Sequence, residues 1–169
     1  MSMLATPDSV TAFSSLDDCS EEHSEGVSSL WTAGRAGHQG LPQAPRIVVH
    51  GSQPMVVREV VGDLNEKLAL APNWDTYGGR AVSINAARAA VSWFLDVFQE
   101  DLPAPSIVPG SDGSIQLEWH ARGIDLEVCF ESSGVAEFSF EDLDTGQQAA
   151  GRAELAQPYV NTLASRAQR

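Results

Sequence analysis

From Ile115 to Glu141 apolar and polar residues alternate along the chain, interrupted by two short breaks. Ile115, Leu117, Trp119, Ile124, Leu126, Val128, Phe130, Ala136, Phe138 and Phe140 form one set. Gln116, Glu118, His120, Asp125, Glu127, Cys129, Glu131, Glu137, Ser139 and Glu141 form the other. A period of two puts successive side chains on opposite faces of a strand. The segment therefore predicts an antiparallel meander with one apolar face and one acidic face. Upstream the period changes. Val57, Val60, Val61, Leu64 and Leu68 recur at helical spacing, and Ala71-Pro72 stops the run, because proline disfavours helical geometry in the residue before it. Ser83 then reads as the N-cap of a second helix carrying Ile84, Ala87, Val91, Phe94, Leu95 and Phe98 inward, ended by Pro103 and Pro105.

Weaker signals complete the outline. Ile107-Val108 predicts a short strand before the meander, and Arg46 to His50 another at the domain's edge. The stretch from Gln147 reads as helical, with a restart at Pro158 that docks Tyr159, Val160 and Leu163 on the core. The resulting expectation is an α+β fold. A small antiparallel β-meander of three to five strands is covered on its apolar face by two or three helices, in a single domain over residues 45–169. Residues 1–44 read as a disordered, acidic, Ser/Gly-rich tail, with Leu30 and Trp31 as a stray apolar pair or a short docking element. Met55, where strong patterning begins, is a candidate alternative translation start.

The strand breaks allow a register to be derived. Trp119 and Ile124 share a face, which an even-length connection satisfies by pairing Glu118 with Asp125 and Gln116 with Glu127. Ser132-Ser133-Gly134 suits a three-residue loop, pairing Cys129 with Glu137, Glu127 with Ser139 and Asp125 with Glu141. Glu118, Asp125 and Glu141 would then stand in one row.

Charge sharpens the acidic face. The formal net charge is -13, and residues 112–144 hold nine acids against one base. Such a balance argues against a nucleic-acid footprint and against an anionic membrane surface. It favours a basic protein partner. Cys19 and Cys129 do not make a disulfide framework, and free thiols fit a cytoplasmic protein. No apolar run is long enough to span a bilayer and no basic-then-apolar leader opens the chain. A homodimer is compatible with all of this.

The carboxylate row supports three readings: a hard-cation site, a docking face for a basic protein, or a solvated strand face. No phosphate-binding Gly-rich loop, CxxC, HExxH or GxSxG spacing is present, and His23, His38, His50 and His120 are scattered. Nothing calls for a cofactor. The most specific local feature is the loop Asn73-Trp74-Asp75-Thr76-Tyr77-Gly78-Gly79. In one reading Trp74, Asp75 and Tyr77 read a ligand. In the preferred one Asn73 and Asp75 satisfy loop amides while Trp74 and Tyr77 plug the gap between helices and sheet.

This loop, Ser83-Ile84-Asn85 leading into an alanine-rich helix, and Asp112-Gly113-Ser114-Ile115-Gln116-Leu117-Glu118-Trp119 occur in an order that resembles a family of small uncharacterised bacterial proteins. Those share an Asn-Trp-Asp-Gly-Tyr-Gly-Ala loop and an Asp-Gly-Gly-Ile-x-Leu-Glu-Trp strand. The resemblance covers roughly residues 57–140 and departs at Thr76, Gly79 and Ser114. It implies no catalytic residues, ties the loop to the Leu117-Glu118-Trp119 strand, and suggests an accessory or partner-binding protein.

The expected function is a non-catalytic binding module, antitoxin-, immunity- or chaperone-like, engaging a basic partner through Glu118, Asp125, Glu127, Glu137 and Glu141. The alternative is a divalent-metal-dependent, hydrolase-like enzyme using Glu118, Asp125 and Glu141.

Overall fold

Helix α1, Met55–Leu68, buries Val57, Val60, Leu64 and Leu68, the stripe that helical spacing predicts. The computed structural model to which it belongs describes residues 44–167; the expected acidic tail, with Leu30, Trp31 and Cys19, lies outside them. Asn65 of α1 accepts from the Ile47 N–H at 2.7 Å and donates to the Ile47 carbonyl at 2.9 Å. One side-chain amide thus does what a neighbouring strand would do. For that reason Arg46 to His50 runs without assigned strand structure, outside the sheet, with Ile47 buried.

Helix α2, Ile84–Val97, starts where the sequence predicts. The Ser83 hydroxyl accepts from the Asn85 N–H at 3.2 Å, satisfying one of the free donors of the first turn. Its buried face is Ala86, Ala87, Ala90, Val91, Trp93, Phe94 and Val97. Trp93 rests against Trp119 and Phe130, with ring centroids 6.2 and 5.9 Å away. Its indole N–H donates to the Ala153 carbonyl at 2.9 Å.

Five antiparallel strands follow: β1 Ser106–Pro109, β2 Ile115–Ala121, β3 Ile124–Phe130, β4 Ala136–Asp142 and β5 Gln147–Arg152. They lie in the sheet in sequence order. A short 3-10 turn, Ala153–Leu155, leads to α3, Gln157–Ala167. The architecture is therefore the expected α+β meander with three helices on its apolar face. Seven inner-face residues of β2 and β3, Ile115 to Phe130, are at most 2% exposed. Truncating a central one, such as Leu126, to Ala would cost about 2–5 kcal/mol through lost transfer energy and a cavity.

Besides the strand expected at Arg46 to His50, two expectations need correction. First, Gln147–Arg152 is a strand and not a helix. Gln-Gln-Ala-Ala-Gly-Arg carries no β-branched or aromatic residue, but the free side of β4 supplies backbone partners, and tertiary pairing outweighs local propensity. The inward positions are small: Ala149 pairs with Phe140 and Gly151 with Phe138, over which Tyr159 of α3 packs at 4.6 and 5.1 Å.

Second, β2 and β3 pair two residues away from the derived register. Ala121 pairs with Ile124, so Glu118 faces Glu127, His120 faces Asp125 and Gln116 faces Cys129. The connection is a two-residue turn, Arg122-Gly123, with both φ angles positive at 55° and 73°, the requirement of a type I′ hairpin. Arginine pays a steric penalty there, and contacts from elsewhere hold it. The Arg122 carbonyl accepts from Arg166 of α3 at 3.1 Å, and the Gly123 carbonyl accepts from the Leu143 N–H at 2.8 Å. The β3–β4 register is as derived, with Gly134 left-handed at φ 88° in a three-residue loop.

Candidate functional site

The second face of the sheet is acidic, and the pairings fix its rows. The first row is His120, Asp125, Glu141 and Gln148. The second is Ser106, Glu118, Glu127, Ser139 and Ala150, and the third Val108, Gln116, Cys129, Glu137 and Arg152. The five predicted partner-binding carboxylates all lie on this face. The predicted row Glu118–Asp125–Glu141 is not formed, because the Arg122-Gly123 turn shifts Glu118 to face Glu127. Among the described residues, no group of three or more His, Cys, Asp or Glu side chains is placed to hold a metal ion. The alternative metal site thus loses the juxtaposition it was built on.

His120 sits between two acids. Its Nδ1 lies 2.9 Å from Asp125 Oδ1 and its Nε2 lies 3.4 Å from Glu118 Oε2. The hydrogen bond to Asp125 holds the imidazole above its ordinary 6.5, partial burial opposes, and Glu118 adds to the upward shift. Gln148 donates to Glu141 at 3.0 Å. Among the described residues no basic side chain comes within ion-pair distance of Glu127, Glu137 or Glu141; Arg152, across from Glu137, pairs with Glu154 at 3.5 Å. Those carboxylates are offered to solvent. Around the small residues Ser139 and Ala150, flanked by Asp125, Glu127, Glu141 and Gln148, the face dips into an open depression of about 470 Å³. Period and charge mark the acids; His120's tethering role depends on the β2–β3 register, which places it opposite Asp125 and not in the turn.

Cys129 lies half-buried on this face. Burial is the main effect that pushes its thiol up, and Asp112, Glu131 and Glu137 add to it against a hydrogen bond from Ser114. Such a thiol is a poor nucleophile.

The Asn73–Gly79 loop borders one end of the sheet. The Arg80 N–H donates to the Ser111 carbonyl at 2.8 Å, the Ser83 N–H to Gly113 at 2.9 Å and the Ser83 hydroxyl to Ser132 at 3.2 Å. Asp75 accepts from the Tyr77 and Gly79 amides at 2.9 and 2.8 Å, and these two bonds, Gly79 first, hold its carboxyl below the usual carboxylate range. Asn73 accepts from the Gly78 N–H at 2.8 Å. The predicted amide-satisfying roles are therefore present. Gly79 is required by the approach of Asp75, since a Cβ there would lie 2.7 Å from Oδ2.

The predicted aromatic plug is not present. Trp74 is half-buried, with its indole N–H donating to Arg80 at 3.0 Å, but Tyr77 is 93% exposed. The cause is backbone conformation. Asn73, Thr76 and Gly78 all adopt positive φ, 67°, 64° and 91°, and the double reversal turns Tyr77 away from the core.

No match is found for the chain among protein-family models, curated proteins or solved structures. Among the described residues no helix is long and apolar enough to cross a membrane.

Proposed function

We propose that this chain is a non-catalytic binding module, antitoxin-, immunity- or chaperone-like, that engages a basic protein partner through the open face of its sheet. The observation that carries the reading is the imbalance between the two faces. One face is sealed by three helices. The other is covered by no element among the described residues and displays Glu118, Asp125, Glu127, Glu137 and Glu141 around a shallow depression. Lysine and arginine side chains entering that depression would find Glu127 and Glu141, with Glu137 nearby, which no basic side chain among the described residues neutralises. Complementary charge of this kind raises association rates and suppresses wrong partners.

The reading gives each element a role. The helices cover the inner face and leave the acids outward, and His120 tethers Glu118 and Asp125. Titration of isotope-labelled protein with an arginine-rich peptide tests it. Amide resonances of β2, β3 and β4 should move, with Glu127 and Ser139 at the centre, and the shifts should fade as salt rises. Shifts centred on the Tyr77 loop or on α3 would count against the open face.

A further inference from the structure

The two edges of the sheet differ in kind. β1 has four residues, follows Pro103 and Pro105 and ends at Pro109; prolines lack an amide proton and guard exposed edges against pairing. β5 contains no proline, and Arg152 is its only charged residue. Among the described residues no strand pairs with its outer side, and Gln147, Gln148, Ala150 and Arg152 are exposed. Alternate residues of an edge strand turn N–H and C=O away from the sheet, and such a row is a template for another strand.

Charge says what that strand carries. On the open face β5 shows Gln148, Ala150 and Arg152, which continue the rows of Glu141, Ser139 and Glu137. Gln148 donates to Glu141 at 3.0 Å, and so holds that carboxylate on the β5 side of the face. Ala150 and Ser139 are small and line the acidic depression, with Glu127 beyond them in the same row. A sixth strand beside β5 would lie about 10 Å from β4. A lysine or arginine on its outward face would cross Ala150 to meet Glu141. At the other end a base is already present, Arg152, paired with Glu154 at 3.5 Å. The edge therefore selects bases opposite Gln148 and Ala150 and none opposite Arg152. The inner positions of the added strand fall beside Ala149 and Gly151, where half-buried Tyr159 packs on Phe140 and Phe138. Apolar residues suit them.

We propose that the basic partner docks by adding a strand to β5, an extended segment that alternates Lys or Arg with apolar residues and lays its bases over Ala150 toward Glu141. The proposal rests on the function assigned to the acidic face and makes it a mode of recognition. Backbone pairing along β5 supplies affinity, and the alternate side chains supply selectivity. A loop or helix of equal charge would find the same carboxylates but leave the β5 backbone unpaired.

The probes are a short peptide alternating arginine with valine and two versions of it, N-methylated on the arginine amides or on the valine amides. Methylation keeps the charges and removes the backbone donors from one edge of the peptide. Each is titrated into the full chain at low salt, with affinity and amide hydrogen exchange as readouts. One methylated peptide should bind as the parent does, and the other should lose affinity by roughly tenfold or more. The parent should slow exchange in β5 and not in β1, and Glu141→Gln should weaken it severalfold. Two methylated peptides that both bind like the parent overturn the added strand and leave the acidic face standing as a charged surface. Pairing at β5 that salt and Glu141→Gln leave unchanged overturns the bases over Ala150, and the function assigned to the face with them. A parent peptide that does not bind overturns the proposal. So do β5 amides that, without peptide, exchange more slowly as protein concentration rises, since a second copy then holds the edge.

Discussion

Glu118 on β2 stands directly across from Glu127 on β3, with no basic side chain at ion-pair distance from Glu127 among the described residues. Like charges directly opposite in a sheet destabilise it, by up to about 1 kcal/mol. The pair sits on the open face, behind an inner face that is almost fully buried. A bound basic partner of the kind proposed would supply the counter-charge this pair lacks.

The first consequence concerns stability. Glu127→Gln should raise the stability of the isolated protein by about 0.5 kcal/mol, or about 1–2 °C in Tm for a chain of this size. The gain should shrink in high salt, which screens the repulsion. A fall in Tm would mean that Glu127 has a stabilising partner.

His120 makes the open face sensitive to pH. Its folded-state pKa lies above 6.5 because Asp125, and more weakly Glu118, favour the charged ring against partial burial. The stabilisation it supplies is fully present below 6.5 and is lost as pH rises through the folded value. Wild type and His120→Gln should therefore differ in Tm most at about pH 5 and least at about pH 8. The difference should be small, because the imidazole is half exposed and the pair is screened. A difference that grows with pH would contradict the assignment.

Arg166 of α3 fastens the helix to the far end of the sheet. It donates to Asp142, to Asp144 at 2.9 Å and to the Arg122 carbonyl at 3.1 Å. Burial pushes the Asp142 carboxyl up, but hydrogen bonds from Arg166, Thr145 and Asp144 outweigh it and hold the group at about 2. The stabilisation is present above 3.8 and is lost as pH falls through about 2. Arg166→Met should lower Tm at neutral pH, and its gap from wild type should narrow as the pH falls through that window. A gap independent of pH would remove Asp142 from the account.

Thr76 is a β-branched residue at φ 64°, where side chains other than glycine are strained by about 1–2 kcal/mol. Thr76→Gly should raise Tm by about 2–4 °C by relieving that strain. Tyr77→Ala should leave Tm unchanged, because the ring touches almost nothing. A destabilised Tyr77→Ala would restore the ring's expected role as a plug.

How far the sequence carried the reading depends on where each signal was local. The alternation of β2, β3 and β4 marked the sheet and both its faces. Ser83 and the Val57–Leu68 stripe marked the helices, and Gly134 fixed the β3–β4 register. Arg122-Gly123 misled because an arginine at positive φ is held by Arg166 and Leu143, which lie far along the chain. β5 carries no strand signal of its own, because Gln-Gln-Ala-Ala-Gly-Arg owes its strand conformation to the free side of β4. An aromatic at Tyr77 predicts a core position, and only the backbone reversals around Thr76 send it outward. The acids of the candidate site were legible from charge and period. Which of them face each other was not, since that depends on a turn whose conformation is set from outside.

The central claim is that the carboxylate face of the sheet receives a basic partner. Affinity capture from the native host, run side by side with wild type and with Glu118→Lys/Glu127→Lys/Glu137→Lys, tests it most directly, with folding of both checked by melting. The account predicts that wild type retains a basic protein at low salt, releases it as salt rises, and that the triple variant fails to retain it. The same protein held equally by both, at either salt, would contradict the claim.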